Sequence, residues 1–217
     1  MVTRSEPEYV WDFCGGQLAI DFTNTVGSRG ATPEEHFNTY GDVLAWAAAR
    51  GVVSRAEARR LRNEAERQPR DAREALTTLV ALRESLYRVI AAAGAGGRAP
   101  AADLARVNAA VAAASAGAHL AARRGRLVLA YDAPDRGSLS QPMAIPVIRA
   151  AVDLLTTDAL ERVRVCADDS CAWLFLDTTR NHSRQWCRMA DCGNVAKVRR
   201  FRTRARRKRA RGRAVAW

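Results

Sequence analysis

The stretch CADDSCAWLFLDTTRNHSRQWCRMADC, residues 166–192, holds four of the chain's five cysteines. They fall as two C-x4-C pairs, Cys166 with Cys171 and Cys187 with Cys192, separated by 15 residues. In a reducing compartment, two close pairs flanking a loop read as a tetrahedral zinc site more readily than as disulfides or free thiols. The x4 spacing is looser than the common x2 knuckle, so spacing alone leaves those alternatives open. Between the pairs, Trp173, Phe175 and Asp177 alternate with Leu174, Leu176 and Thr178, the pattern of a short, half-covered strand. Asp177 to Ser183 is expected to turn, and Arg184 to Cys187 to return as the second strand, so that zinc clamps the base of a hairpin. A module this small has too little core to fold alone, and zinc would supply on the order of 10 kcal/mol.

Downstream of Cys192, Val195, Val198, Phe201 and Ala205 recur at helical spacing. This predicts a helix whose narrow apolar stripe packs on the strand, with its positive end at the thiolates. The other faces are basic. Of 35 basic and 23 acidic residues, a balance of +12, eleven basic and no acidic residues lie in 193–217, and the first 192 residues hold 24 basic against 23 acidic. Such a local concentration of charge suits a polyanion, with Arg184, Lys197, Arg199, Arg200, Arg202, Arg204, Arg206, Arg207 and Lys208 as candidate phosphate contacts. DNA is the leading partner and RNA the alternative, although the helix lacks the clustered aromatics that stack on bases. A solvated face is the plain reading of any charge run, yet an all-arginine helix repels itself and gains no evident stability without a polyanion.

The preceding residues read as mostly helical. Tyr40–Arg50 carries a broad apolar face and stops at Gly51; Ser54 caps a helix to about Arg67; Pro69 opens a long core helix through Ile90. After the GAGGRAP break at 94–100, Ala101–Ala114 forms an alanine-rich helix. Ala118–Ala122 and Arg126–Tyr131 form a small β-hairpin, and Pro142–Leu155 a helix with Pro146 in its first turn. RVRVC, 162–166, reads as a strand feeding the metal module. FCGGQLAIDFTNT, 13–25, fits helix or strand. There Gly15, Gly16, Asp21 and Asn24 form a polar group amid apolar neighbours, open either to a small-molecule effector or to partners within the protein. The fold expected is α+β, mainly α: a helical domain with a small hairpin over 1–160, then a zinc-bound hairpin and basic helix over 161–217.

At this point the residues carry a family likeness. FLDTTRNHSRQWC, 175–187, followed by RMADCGN and AKVRRFR, 188–194 and 196–202, resembles the CGNR zinc finger of bacterial regulators. GGQLAIDFTNT and the helical stretch behind it resemble the ABATE domain that accompanies that finger. The resemblance implies a transcription regulator whose finger binds DNA, with Cys166, Cys171, Cys187 and Cys192 as metal ligands and an upstream domain that senses a ligand or stress. Of the naming motif, Cys192, Gly193 and Asn194 are present, and Val195 stands where the family has arginine, so any role of that arginine is either lost here or passes to Arg199 or Arg184.

Several classes are unsupported. No apolar run approaches the roughly 18 residues of a membrane helix, and Met1–Phe13, with Glu6, Glu8 and Asp12, lacks the order of a secretory signal; a cytoplasmic location is expected. No P-loop, G-x-S-x-G or paired-histidine motif occurs, and His36, His119 and His182 are scattered, so an enzyme is not expected. A homodimer would suit a regulator, but no heptad seam is evident. Only two of the 35 basic residues are lysines, a bias that lowers the meaning of any isolated arginine.

Overall fold

The structure, a computed structural model, describes residues 9–131, 138–199, 201 and 202. The ambiguous segment after the Gly-Gly turn is a short helix, α1 (Leu18–Thr23). The Gln17 side chain decides this by accepting from the Ala19 and Ile20 N–H groups at 2.7 and 3.3 Å, and Ile20 and Phe22 then point into the core. A two-residue ladder follows, β1 (Val26–Gly27) with β2 (Glu34–Glu35).

Helix α2 (Tyr40–Arg50) begins in a Thr39/Asp42 capping box and ends at Gly51 in the left-handed region. Helix α3 (Arg55–Arg67) starts on the Ser54 hydroxyl as expected. Pro69 opens α4 (Pro69–Gly94), which runs one turn beyond the expected Ile90. Its Leu79, Leu82, Leu86, Val89 and Ile90 form the central spine of the core. Helices α5 (Ala101–Ser115) and α6 (Gln141–Leu155) lie against it. Pro146 sits in the second turn of α6, not the first. The missing N–H there costs on the order of 3 kcal/mol, which burial of Met143, Val147, Ile148, Ala151 and Leu154 on either side offsets.

The predicted hairpin forms from β3 (Ala118–Arg123) and β4 (Arg126–Tyr131), turning through Arg124 and Gly125, both at positive φ. Leu120, Leu127 and Leu129 on it are exposed.

The metal module departs from its expected layout. Strand β5 (Val163–Val165) pairs antiparallel with β6 (Leu174–Leu176), so the RVRVC segment supplies the second strand. Residues 184–187 are not a strand; their one main-chain to main-chain bond here runs from the Ala167 N–H, just past β5, to the Gln185 carbonyl. Both edges of β6 are taken by other groups. β5 holds one, with Val163 joining Leu174 in the main core, and the Gly15 carbonyl and Asn24 amide hold the other.

The module is joined to the helical part by main-chain polar groups. The Asn24 amide acts as a strand neighbour, donating to the Leu174 carbonyl at 2.8 Å and accepting its N–H at 3.0 Å. The Leu176 N–H donates to the Gly15 carbonyl, the Trp173 indole to the Val26 carbonyl and the Tyr87 hydroxyl to the Ala172 carbonyl. Gly30 lies so close to the Asp169 carbonyl that no Cβ fits. One arginine earns a structural role that composition had discounted: Arg83, 2% exposed, makes a bidentate pair with Glu35 at 2.6 Å and reaches Glu84 at 2.8 Å.

Candidate metal centre and basic helix

Cys166 directly follows β5, and its N–H donates to the Trp173 carbonyl at 2.8 Å. The Asp168 carboxylate then accepts from the Ser170 N–H and hydroxyl, at 3.0 and 2.7 Å, closing a turn that returns Cys171 towards Cys166. Cys187 arrives on the loop after β6 with its N–H directed at the Cys166 sulfur, 3.4 Å away. A single π-helical turn, Met189–Gly193, carries Cys192. The sequence thus reaches four sulfurs at one point through two tight turns, a loop and a helix start.

The four Sγ atoms all lie within 4.8 Å of one another. Cys171 and Cys187 are 3.6 Å apart and Cys187 and Cys192 3.7 Å. Four zinc–sulfur bonds of about 2.3 Å place the corners of a tetrahedron roughly 3.8 Å apart, so the donor set fits zinc. Electrostatics agree. Hydrogen bonds from Cys171 and then Cys187 hold the Cys166 thiol far below its ordinary value. Contact with Cys14, then with Cys166 and Cys171, pushes Cys187 up, and burial pushes Cys192 up to about 12. With four protein ligands the ion has no open position, so its contribution is to hold the module together.

Arg184 braces this centre. Its guanidinium lies 4.5 Å over the Phe175 ring and donates to the carbonyls of Trp186 at 3.0 Å, Leu176 at 3.4 Å, Cys14 at 3.2 Å and Cys187. These bonds engage four of the five guanidinium N–H donors. Asp177, fully buried, accepts from the Thr179 N–H and hydroxyl and the Arg184 N–H, and these bonds, the Thr179 hydroxyl first, hold its carboxyl below the usual range. Arg188 pairs with Asp12 at 2.8 Å. Asp12, Cys14 and Arg188 carried no signal in the sequence, because Asp12 and Cys14 meet the module across more than 150 positions.

Residues 194–199, 201 and 202 are helical and continue from Cys192. Lys197, Arg199 and Arg202 are exposed, with Arg199 also 3.6 Å from Asp168. Arg200, Arg204, Arg206, Arg207 and Lys208 lie outside the described residues, as does Ala205. The apolar stripe does not pack on the strand: Val195, Val198 and Phe201 are 43, 47 and 73% exposed. The helix leaves the module from its corner at Cys192, and β6 already gives one face to the helical core and the other to the zinc cluster.

The polar group of the first helix finds protein partners. One Asp21 oxygen accepts the Gly15 N–H at 3.0 Å and the other the Arg50 Nε–H at 2.8 Å. Burial raises this carboxyl and the Arg50 bond opposes the shift. Gly16 takes positive φ in the turn, and both hydrogen-bonding ends of Asn24 go to Leu174. Asp21 and Asn24 therefore face different protein neighbours.

A helical domain closed by a four-thiolate zinc centre defines a zinc-finger protein with its finger docked on its body. Two family models agree with that geometry: ABATE, described as "Putative stress-induced transcription regulator", over residues 16–158, and the CGNR zinc finger over residues 162–205. The chain belongs to the ABATE family and carries a CGNR zinc finger. No curated protein matches it. Among the described residues no helix is long and apolar enough to cross a membrane.

Proposed function

We propose that the protein is a DNA-binding transcription regulator in which the zinc module anchors the basic helix so that its cations meet duplex phosphates. The observation that carries this reading is the continuous run from the zinc ligand Cys192 into exposed helix bearing Lys197, Arg199 and Arg202. A helix started by a metal ligand has a fixed direction, and basic side chains on it can follow a phosphate backbone as a unit. Arg184 is spent on the brace, so the cations of the helix itself supply the contacts. The hydrogen bonds from Asn24, Trp173 and Tyr87 between helical body and finger give the body a means of influencing the helix, which supports a regulator responsive to an effector or to stress.

The test is binding of zinc-loaded protein to duplex DNA and to structured RNA across a salt series. Affinity for DNA is expected to fall with a log-log slope of about 4 to 6, one unit for each phosphate contact or slightly less. Binding that ignores salt, or binding that is tighter to RNA, overturns the proposal.

A further inference from the structure

Outside the zinc module, helices α4, α5 and α6 line a pocket of about 430 Å3 that is open to solvent on one side, a size that accommodates a small organic molecule. Its cause is compositional: Ala81, Ala110 and Ala144, one from each helix, face it where longer side chains would fill the space. Leu82 and Ile148 make an apolar floor. The walls therefore favour a hydrocarbon or aromatic body.

Two polar groups set the chemistry. The Gln141 Oε1 is buried and accepts no hydrogen bond, one of two buried side-chain polar atoms without a partner among the described residues. An orphaned acceptor costs about 1–3 kcal/mol, a cost that a ligand donor removes. Arg106 of α5, exposed to solvent and close enough for its charge to act on the Asp103 carboxylate, also lines the pocket. The carboxylate one turn back on its helix, Asp103, is already held by Arg88 at 2.7 Å and by the Ser85 hydroxyl at 2.9 Å. The Thr77 hydroxyl donates to the Arg73 carbonyl and the Ser140 hydroxyl meets Ser138, so neither competes for these two groups.

We propose that this cavity binds an amphipathic organic acid, with its apolar body between the alanines, its carboxylate on Arg106 and a hydroxyl or amide donor on Gln141 Oε1. It deepens the regulator reading and rests on it for what binding controls: α4 lines the cavity at Thr77 to Leu82 and, five residues on, reaches the zinc loop through Tyr87. That spacing is roughly 7 to 8 Å along the helix.

Calorimetric titration of the full zinc-loaded chain, without DNA, tests the binding separately from the DNA reading. The probes are 3-hydroxydecanoate, decanoate and 1,3-decanediol. The first is expected to bind at least about tenfold more tightly than either other probe, a difference that one charge-assisted or one rescued hydrogen bond supplies. Arg106→Gln is expected to abolish the preference over the diol, and Gln141→Leu the preference over decanoate. Gln141→Leu is further expected to leave the melting temperature of the ligand-free protein unchanged or raised, whereas a Gln141 with a structural partner would lower it and overturn the assignment. Ala144→Leu, which fills the cavity, is expected to weaken 3-hydroxydecanoate binding at least about tenfold. Dissociation constants above about 1 mM for 3-hydroxydecanoate, or equal binding by the Ala144→Leu protein, overturn the proposal. Neither result bears on the salt-dependent DNA binding of the helix.

Discussion

Replacing Asn24 by alanine isolates the junction between finger and body. Asn24 is 3% exposed, and its amide satisfies both the N–H and the carbonyl of Leu174, a residue itself fully buried. Alanine removes both partners at once and leaves two main-chain polar groups with no route to water. Each orphaned group costs about 1–3 kcal/mol, so Asn24→Ala is expected to destabilise the zinc-loaded protein by about 2–5 kcal/mol, with partial relaxation drawing the value towards the lower end. Asn24→Asp offers a sharper comparison. It keeps an acceptor for the Leu174 N–H and turns the donor into an oxygen facing the Leu174 carbonyl, so it is expected to be at least as damaging despite its near-identical shape. Urea unfolding followed by tryptophan fluorescence measures both, since Trp173 belongs to the same strand region and its indole bonds to Val26. A loss below about 1 kcal/mol for Asn24→Ala would refute the view that this side chain serves as a strand partner, and would return it to consideration as a ligand contact.

Two further outcomes follow from the metal centre and the ion pairs. Purified protein is expected to hold one zinc per chain, and Cys187→Ser to lose it and unfold the terminal module, as read by elemental analysis and near-ultraviolet dichroism; a folded, metal-free preparation sinks the zinc assignment. Asp103 is held down to about 2 from 3.8, chiefly by the Arg88 hydrogen bonds and then by Ser85. Because the folded value is the lower one, this group's stabilisation is complete above about 3.8 and is lost as the pH falls towards about 2. The difference in urea midpoint between wild type and Asp103→Asn is therefore expected to shrink across that window, and a constant difference would contradict the assignment.

The amino-acid order by itself placed most of the helices and singled out the four cysteines that the fold brings together. The cap at Ser54, the proline at 69 and the glycine at 51 act on their own or adjacent turns, and their effects are local enough to be read along the chain. The same holds for the cysteines, whose chemistry survives whatever path connects them, and for the turn at Arg124 and Gly125. Long-range pairing was not legible. Which groups line β6 depended on segments outside it, β5 on one edge and the far upstream Gly15 with Asn24 on the other. Asp21 and Asn24 stood out correctly as polar groups needing partners, but those partners, Arg50 and Leu174, lie 29 and 150 residues away. Arg184 reads as one more cation until Phe175 and four carbonyls are seen around it. The cavity has no sequence signature, because its alanines are ordinary helix formers and only the convergence of three helices leaves a space among them. Propensity and ligand chemistry are carried by single residues and their near neighbours, whereas pairing, bracing and empty volume are properties of packed surfaces and exist only once the chain has closed.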